Sequence, residues 1–78
     1  MAPDTARDSP RDSELAAFGD RVRALRAEAG LTQEALAQAS GLHWTYVGQV
    51  ERGTRNLSLK NILRLARGLG VEPAKLFQ

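Results

Sequence analysis

The sequence holds no cysteine, so neither a disulfide framework nor a thiolate zinc site can add stability. No apolar run approaches the ~20 residues of a membrane span, and the amino end lacks the apolar stretch of a secretory signal. A soluble, cytoplasmic protein is therefore expected. No segment sustains the apolar and polar alternation of a strand, which excludes a half-buried sheet. His43 is the only histidine, without plausible nucleophile or metal partners, and neither paired carboxylates nor a Gly-rich phosphate loop occurs. An enzyme is not expected, and no catalytic residue, metal or cofactor is assigned.

The chain has 78 residues, enough for one domain with one modest core. So small a core is marginal, and pairing with a second copy would help it. The net charge is +2, but the charges are unevenly placed. Residues 1–12 combine two prolines and small polar residues with Asp4, Asp8 and Asp12 against Arg7 and Arg11. They read as a disordered arm, and residues 13–78 as the domain. From Arg52 to Val71 the chain carries Arg52, Arg55, Lys60, Arg64 and Arg67 and no acid. Such a stripe suits a polyanion, though a solvated face can look the same.

The domain reads as helical throughout. Ser13 is the expected N-cap of a first helix whose stripe is Leu15, Phe18, Val22, Leu25 and Ala29. Gly30 ends it. Thr32 caps a short helix from Gln33 to Ser40 with Leu36 and Ala37 inward. Gly41 makes a tight turn, Leu42 plugs it, and a third helix runs from about His43 to Arg52 around Val47 and Val50. Ser58 caps a fourth helix with Leu59, Ile62, Leu65, Ala66 and Leu69 inward, and Pro73 opens a short fifth. The expectation is an all-α, compact five-helix domain of phage-repressor type.

Two short helices joined by a Gly-containing turn outline a helix-turn-helix. With Val47 at 0° and ~100° per residue, Val50 and Glu51 fall on one side of the third helix. Thr45, Gly48, Gln49 and Arg52 fall on the other. A helix in the major groove needs an apolar back and a face of donors and acceptors. Thr45 and Gln49 are the leading base-reading candidates. Gly48 joins them, either because DNA approaches too closely for a side chain or as tolerated drift. Trp44, at the margin, either meets thymine methyls and the sugar-phosphate wall or flanks the core. Tyr46, on the opposite flank, either contacts phosphate or packs. His43 reads better as a weak cap or turn residue than as a base or metal contact.

The strings RVRALRAEAGLTQEALAQASGL and YVGQVERGTRNLSLKNILRLARGLGV resemble the Xre family of phage and bacterial helix-turn-helix regulators. The resemblance runs from Gly19 to Phe77. Within that family, GLHWTYVGQVERGTRNLSLKNI is most similar to the controller proteins of restriction-modification systems. The resemblance implies a two-fold homodimer on duplex DNA that regulates its own operon and the endonuclease gene. RNA polymerase is a candidate further partner. It implies that Gln33 holds a phosphate and braces the third helix, and that Arg26 and Glu51 form a structural ion pair. Arg52, Thr54, Arg55, Asn56 and the amino end of the fourth helix at Ser58 are the remaining phosphate candidates. Leu63, Leu76 and Phe77 are apolar residues to spare and form the expected dimer interface. Trp44 departs from the Arg that typical controllers carry, so the operator sequence does not transfer. Other readings are a general Xre repressor of a prophage or mobile element, and an antitoxin; the antitoxin usually needs a further segment to cover its toxin.

Overall fold

A computed structural model of the chain describes residues 12–78. The arm expected at 1–12 lies outside them except for Asp12, which belongs to the folded domain. Four α-helices follow in order: α1 at Ser13–Glu28, α2 at Gln33–Ser40, α3 at Trp44–Arg52 and α4 at Leu59–Leu69. The expected fifth helix, Pro73–Phe77, is a 3₁₀ helix, so the α-helices among the described residues number four rather than five. Its five residues make fewer than two turns, and Lys75 N–H closes an i→i+3 bond to the Glu72 carbonyl at 2.9 Å. No strand occurs among the described residues, and none of their helices is long and apolar enough to cross a membrane.

The first cap is Asp12, not Ser13. Its carboxylate accepts from Glu14 N–H at 2.9 Å and Leu15 N–H at 3.2 Å. A charged acceptor also suits the positive end of the helix, which a hydroxyl one residue later does not match. Thr32 Oγ1 accepts from Ala35 N–H, and Ser58 Oγ accepts from Asn61 N–H. His43 is the N-cap of α3, its Nδ1 accepting from Thr45 N–H at 3.1 Å, so α3 starts one residue after it.

The core is the meeting of these helices' apolar stripes. Val22 and Leu25 of α1, Leu36 and Ala37 of α2, Val47 and Val50 of α3, and Leu65, Ala66 and Leu69 of α4 are buried together. Phe18, Leu31, Leu42, Leu57, Ile62 and Val71 close its rim. Three expected members are absent. Leu15 is half-buried outside the cluster, at the groove beside Phe77. Ala29 is exposed, because α1 has already ended at Glu28. Leu59 is 70% exposed, because as the first residue of α4 it stands at the edge of the packed stripe.

α1 packs on α3, and α2 packs on both α3 and α4. Between α2 and α3, Gly41 takes φ +71°, a left-handed conformation that a side chain would strain. Leu42 N–H then bonds back to the Ala37 carbonyl at 2.9 Å. This tight turn sets the direction in which α3 leaves α2.

Candidate nucleic-acid interface

α3 is held from behind and open in front. Val47, Val50 and Glu51 are buried, whereas Thr45 and Arg52 are exposed and Gln49 is half-buried. A charge cluster fixes the back. The Arg26 guanidinium forks onto the Glu51 carboxylate, with Nε on Oε2 and Nη2 donating to Oε1 at 3.1 Å. Gln33 Nε2 donates to the same Oε1 at 2.9 Å. Arg23, half exposed, stands 3.6 Å from Oε1 and donates to the Glu51 carbonyl at 3.3 Å. One carboxylate thereby ties α1 and α2 to α3.

Burial pushes the Glu51 carboxyl up. Hydrogen bonds from Arg26 and Gln33, with the charges of Arg26 and Arg23, outweigh that and hold it below the usual carboxylate range. Arg26 is raised in turn, chiefly by its hydrogen bond to Glu51. Both partners are charged at neutral pH. Helix α3 is therefore braced by a permanent ion pair and not only by Val47 and Val50.

Trp44 is 54% exposed, so it does not serve as a core flank. Its indole lies nearly parallel to the His43 imidazole, centroids 6.1 Å apart and planes 20° from each other. Gly48 corrects an expectation. It is buried, and a Cβ there would stand 3.3 Å from Arg52 Nη1 and 3.7 Å from Gln33 Oε1. The ends of the protein's own Arg52 and Gln33 side chains lie over Gly48, so it is covered in the DNA-free chain.

Tyr46 is half-buried, and its hydroxyl accepts from Asn61 Nδ2 at 3.0 Å. The Arg55 guanidinium carbon sits 5.3 Å from the centre of its ring, a cation–π distance. Arg52, Arg55 and Asn56 are exposed around the loop that follows α3. Thr54 is a second correction. Its hydroxyl donates to the Gln49 carbonyl at 3.1 Å, and its N–H goes to the same oxygen. Both of its donors are spent on ending α3, leaving none for a phosphate. Ser58 accepts a cap bond through Oγ, which leaves its hydroxyl proton free at the amino end of α4.

Of the expected dimer residues, Leu76 is 1% exposed and belongs to the core. The short final helix turns it inward against α1 and α4. Leu63 and Phe77 are exposed, and Phe77 leans on Phe18 with centroids 5.4 Å apart. Phe77 lines an apolar groove of about 440 Å³ with Leu15, Phe18, Leu57, Ile62 and Leu76.

Sequence reasoning did not single out Arg23, Asn61 or Gly19. Arg23 lies one helical turn before Arg26, a spacing that could have placed it beside Glu51. The contact of Asn61 with Tyr46 spans 15 residues and has no local signal.

These features define a helix-turn-helix with an exposed second helix. Residues 22–76 match the helix-turn-helix family model, and the chain belongs to that family. Its relatives include the restriction-modification controllers. It is 47% identical over 60 residues to control protein C.BamHI of Bacillus amyloliquefaciens, covering 76% of this chain and 74% of that one. It is 46% identical over 59 residues to control protein C.SmaI of Serratia marcescens, covering 76% and 70%. The crystal structure of the restriction-modification controller protein C.AhdI from Aeromonas hydrophila superposes with TM-score 0.82 at 57% identity, covering 83% of this chain and 98% of that chain.

Proposed function

We propose that this protein is a sequence-specific duplex-DNA-binding transcription regulator, the controller of a restriction-modification operon that includes its own gene. The observation that carries this is the α3 face. Thr45 and Arg52 are exposed and Gln49 is half open on a helix whose back is locked by Glu51, and basic groups follow at Arg52 and Arg55. Among the described residues no apolar side chain is seen to cover that face, and its donors and acceptors match what base edges offer in the major groove. Thr45 and Gln49 read bases, with Trp44 at the margin. Gln33 through its second amide hydrogen, Tyr46, Arg52, Arg55, Asn56 and the α4 terminus at Ser58 hold phosphates.

The protein acts as a homodimer on a two-fold operator. Exposed Leu63, and exposed Phe77 at the apolar groove, supply apolar surface that a second copy would cover. Half-site centres then lie ~10 base pairs apart.

Selection of binding sites from random duplexes tests base reading. Gln49→Ala should cost about 1–3 kcal/mol on the wild-type consensus and little on shuffled duplex, where phosphate contacts dominate. Recovery of the same consensus with the same preference by Gln49→Ala and Thr45→Ala variants would remove α3 as the reader.

The phosphate assignment has its own test. Arg52→Ala and Arg55→Ala should each weaken all duplexes to a similar degree. Each should make the dependence of log affinity on log salt shallower by about one unit. An unchanged slope with loss on a single operator sequence would mean that these arginines read bases.

A further inference from the structure

We propose that Asn61, locked by Arg64, is a positioning residue that makes the Tyr46 hydroxyl an obligate hydrogen-bond donor toward a phosphate oxygen of the DNA. This rests on the reading that α3 docks on duplex DNA.

The inference follows from which groups can donate. Arg64 Nη1 donates to Asn61 Oδ1 at 3.1 Å, and Asn61 Nδ2 donates to the Tyr46 hydroxyl at 3.0 Å. A guanidinium has donors only, so the oxygen of the Asn61 amide must face Arg64. The amide nitrogen then faces Tyr46, and an amide nitrogen is likewise donor only. Tyr46 must therefore accept through a lone pair, and its single proton is left for another acceptor. The chain of bonds has one direction, set at Arg64 and ending in a free O–H. All three residues are half-buried, so this direction is set in a partly covered contact between α3 and α4.

Two features set positive charge beside Tyr46, as a phosphate partner requires. Arg55 lies against the Tyr46 ring, where its charge reaches the same anion. Asn61 itself sits in the first turn of α4, whose amino end carries unpaired N–H groups. A phosphate oxygen accepts and never donates, so it pairs with Tyr46 only in the orientation that Asn61 enforces. A side chain that merely packed would be indifferent to that direction.

A double-mutant cycle on DNA affinity tests this. Dissociation constants are measured for the full chain and for Tyr46→Phe, Asn61→Ala and the double variant. The DNA is the duplex selected from random sequence and a shuffled duplex, at one salt concentration. Tyr46→Phe is expected to weaken both duplexes about tenfold, and Asn61→Ala about threefold. The double variant is expected to match Tyr46→Phe within about twofold, because Asn61 acts only through that hydroxyl. Losses that multiply would overturn the proposal, and so would a Tyr46→Phe loss confined to the selected sequence, which would mark a base contact.

Thermal melting checks that each variant folds. Should Asn61→Ala fail to fold, Asn61→Asp takes its place. Its carboxylate accepts from both Arg64 and Tyr46 and reverses the chain, while its added charge weakens either background alike. It is expected to cost about threefold more beside Tyr46 than in the Tyr46→Phe background, and equal costs would overturn the proposal. A wild type that binds neither duplex overturns the regulator reading and this inference with it. A wild type that keeps its sequence preference while the losses multiply overturns this inference alone.

Discussion

Replacing Glu51 by Ala is expected to lower the free energy of unfolding by about 3–5 kcal/mol, the usual cost of removing one partner of a buried pair. Glu51 is 0% exposed and receives hydrogen bonds from Arg26 and Gln33. Without the carboxylate, Arg26 keeps only its bond to the Leu31 carbonyl at 2.8 Å and is a mostly buried charge without a counter-charge. Arg23 is half exposed, so its share is small. A small domain has about 5–10 kcal/mol in total, so the variant should be close to unfolding at room temperature. Urea denaturation at matched protein concentration measures this, the matching being needed because dimerisation feeds into apparent stability. A midpoint equal to the wild type would contradict the brace.

The same group gives a pH dependence. The Glu51 carboxyl is held below its ordinary value in the folded chain. A depressed carboxyl contributes stability that is present above its unfolded pKa, about 4.3, and lost as pH falls through the lower folded value. Acidification below about pH 4.3 should therefore destabilise the wild type. A Glu51→Gln variant should lack that component of the acid loss.

Gly19→Ala is expected to destabilise by about 2 kcal/mol or more, against the direction of helix propensity. Propensity alone favours Ala over Gly inside a helix by about 1 kcal/mol. A Cβ at Gly19, however, would lie 2.3 Å from the Val50 carbonyl oxygen and 2.7 Å from that of Glu51, both backbone atoms. Neither can move unless α1 separates from the carboxyl end of α3, and overpacking of this kind costs about 1–3 kcal/mol or more. Gly48→Ala is the control. Its Cβ would meet the end of the flexible Arg52 side chain at 3.3 Å, which can swing away. It should leave stability unchanged or slightly raised. Thermal melts of both variants decide the matter, and a Gly19→Ala protein as stable as the wild type would mean that α1 and α3 do not approach this closely.

Much of the fold was legible because its determinants are local. Thr32 and Ser58 are caps followed at once by helix formers, and Leu36, Val47, Val50 and Leu65 recur at helical spacing. The α3 face followed from the same periodicity. What could not be read depends on contacts between distant segments or on hydrogen-bond direction. Asp12 and Ser13 are adjacent residues of equal capping aptitude, and Asp12 is further tied to the domain by its N–H bond to the Gly53 carbonyl at 3.3 Å. Leu76 and Phe77 are both apolar at the chain's end, and only the turn of the final helix decides which one points inward. Gly48 and Thr54 look available along the sequence, yet folding covers the first with Arg52 and spends the donors of the second on Gln49. Gly19 meets α3 some 30 residues away, and nothing near it signals the contact.

The most direct measurement is equilibrium binding of the full chain to its selected duplex and to a shuffled duplex of equal composition, at one physiological salt concentration. A sequence-reading α3 predicts a preference of about 10³-fold or more for the selected duplex, in the range of specific over non-specific protein–DNA affinities. Equal affinity for the two duplexes would contradict it, leaving phosphate contacts such as those of Arg52 and Arg55 to account for any binding.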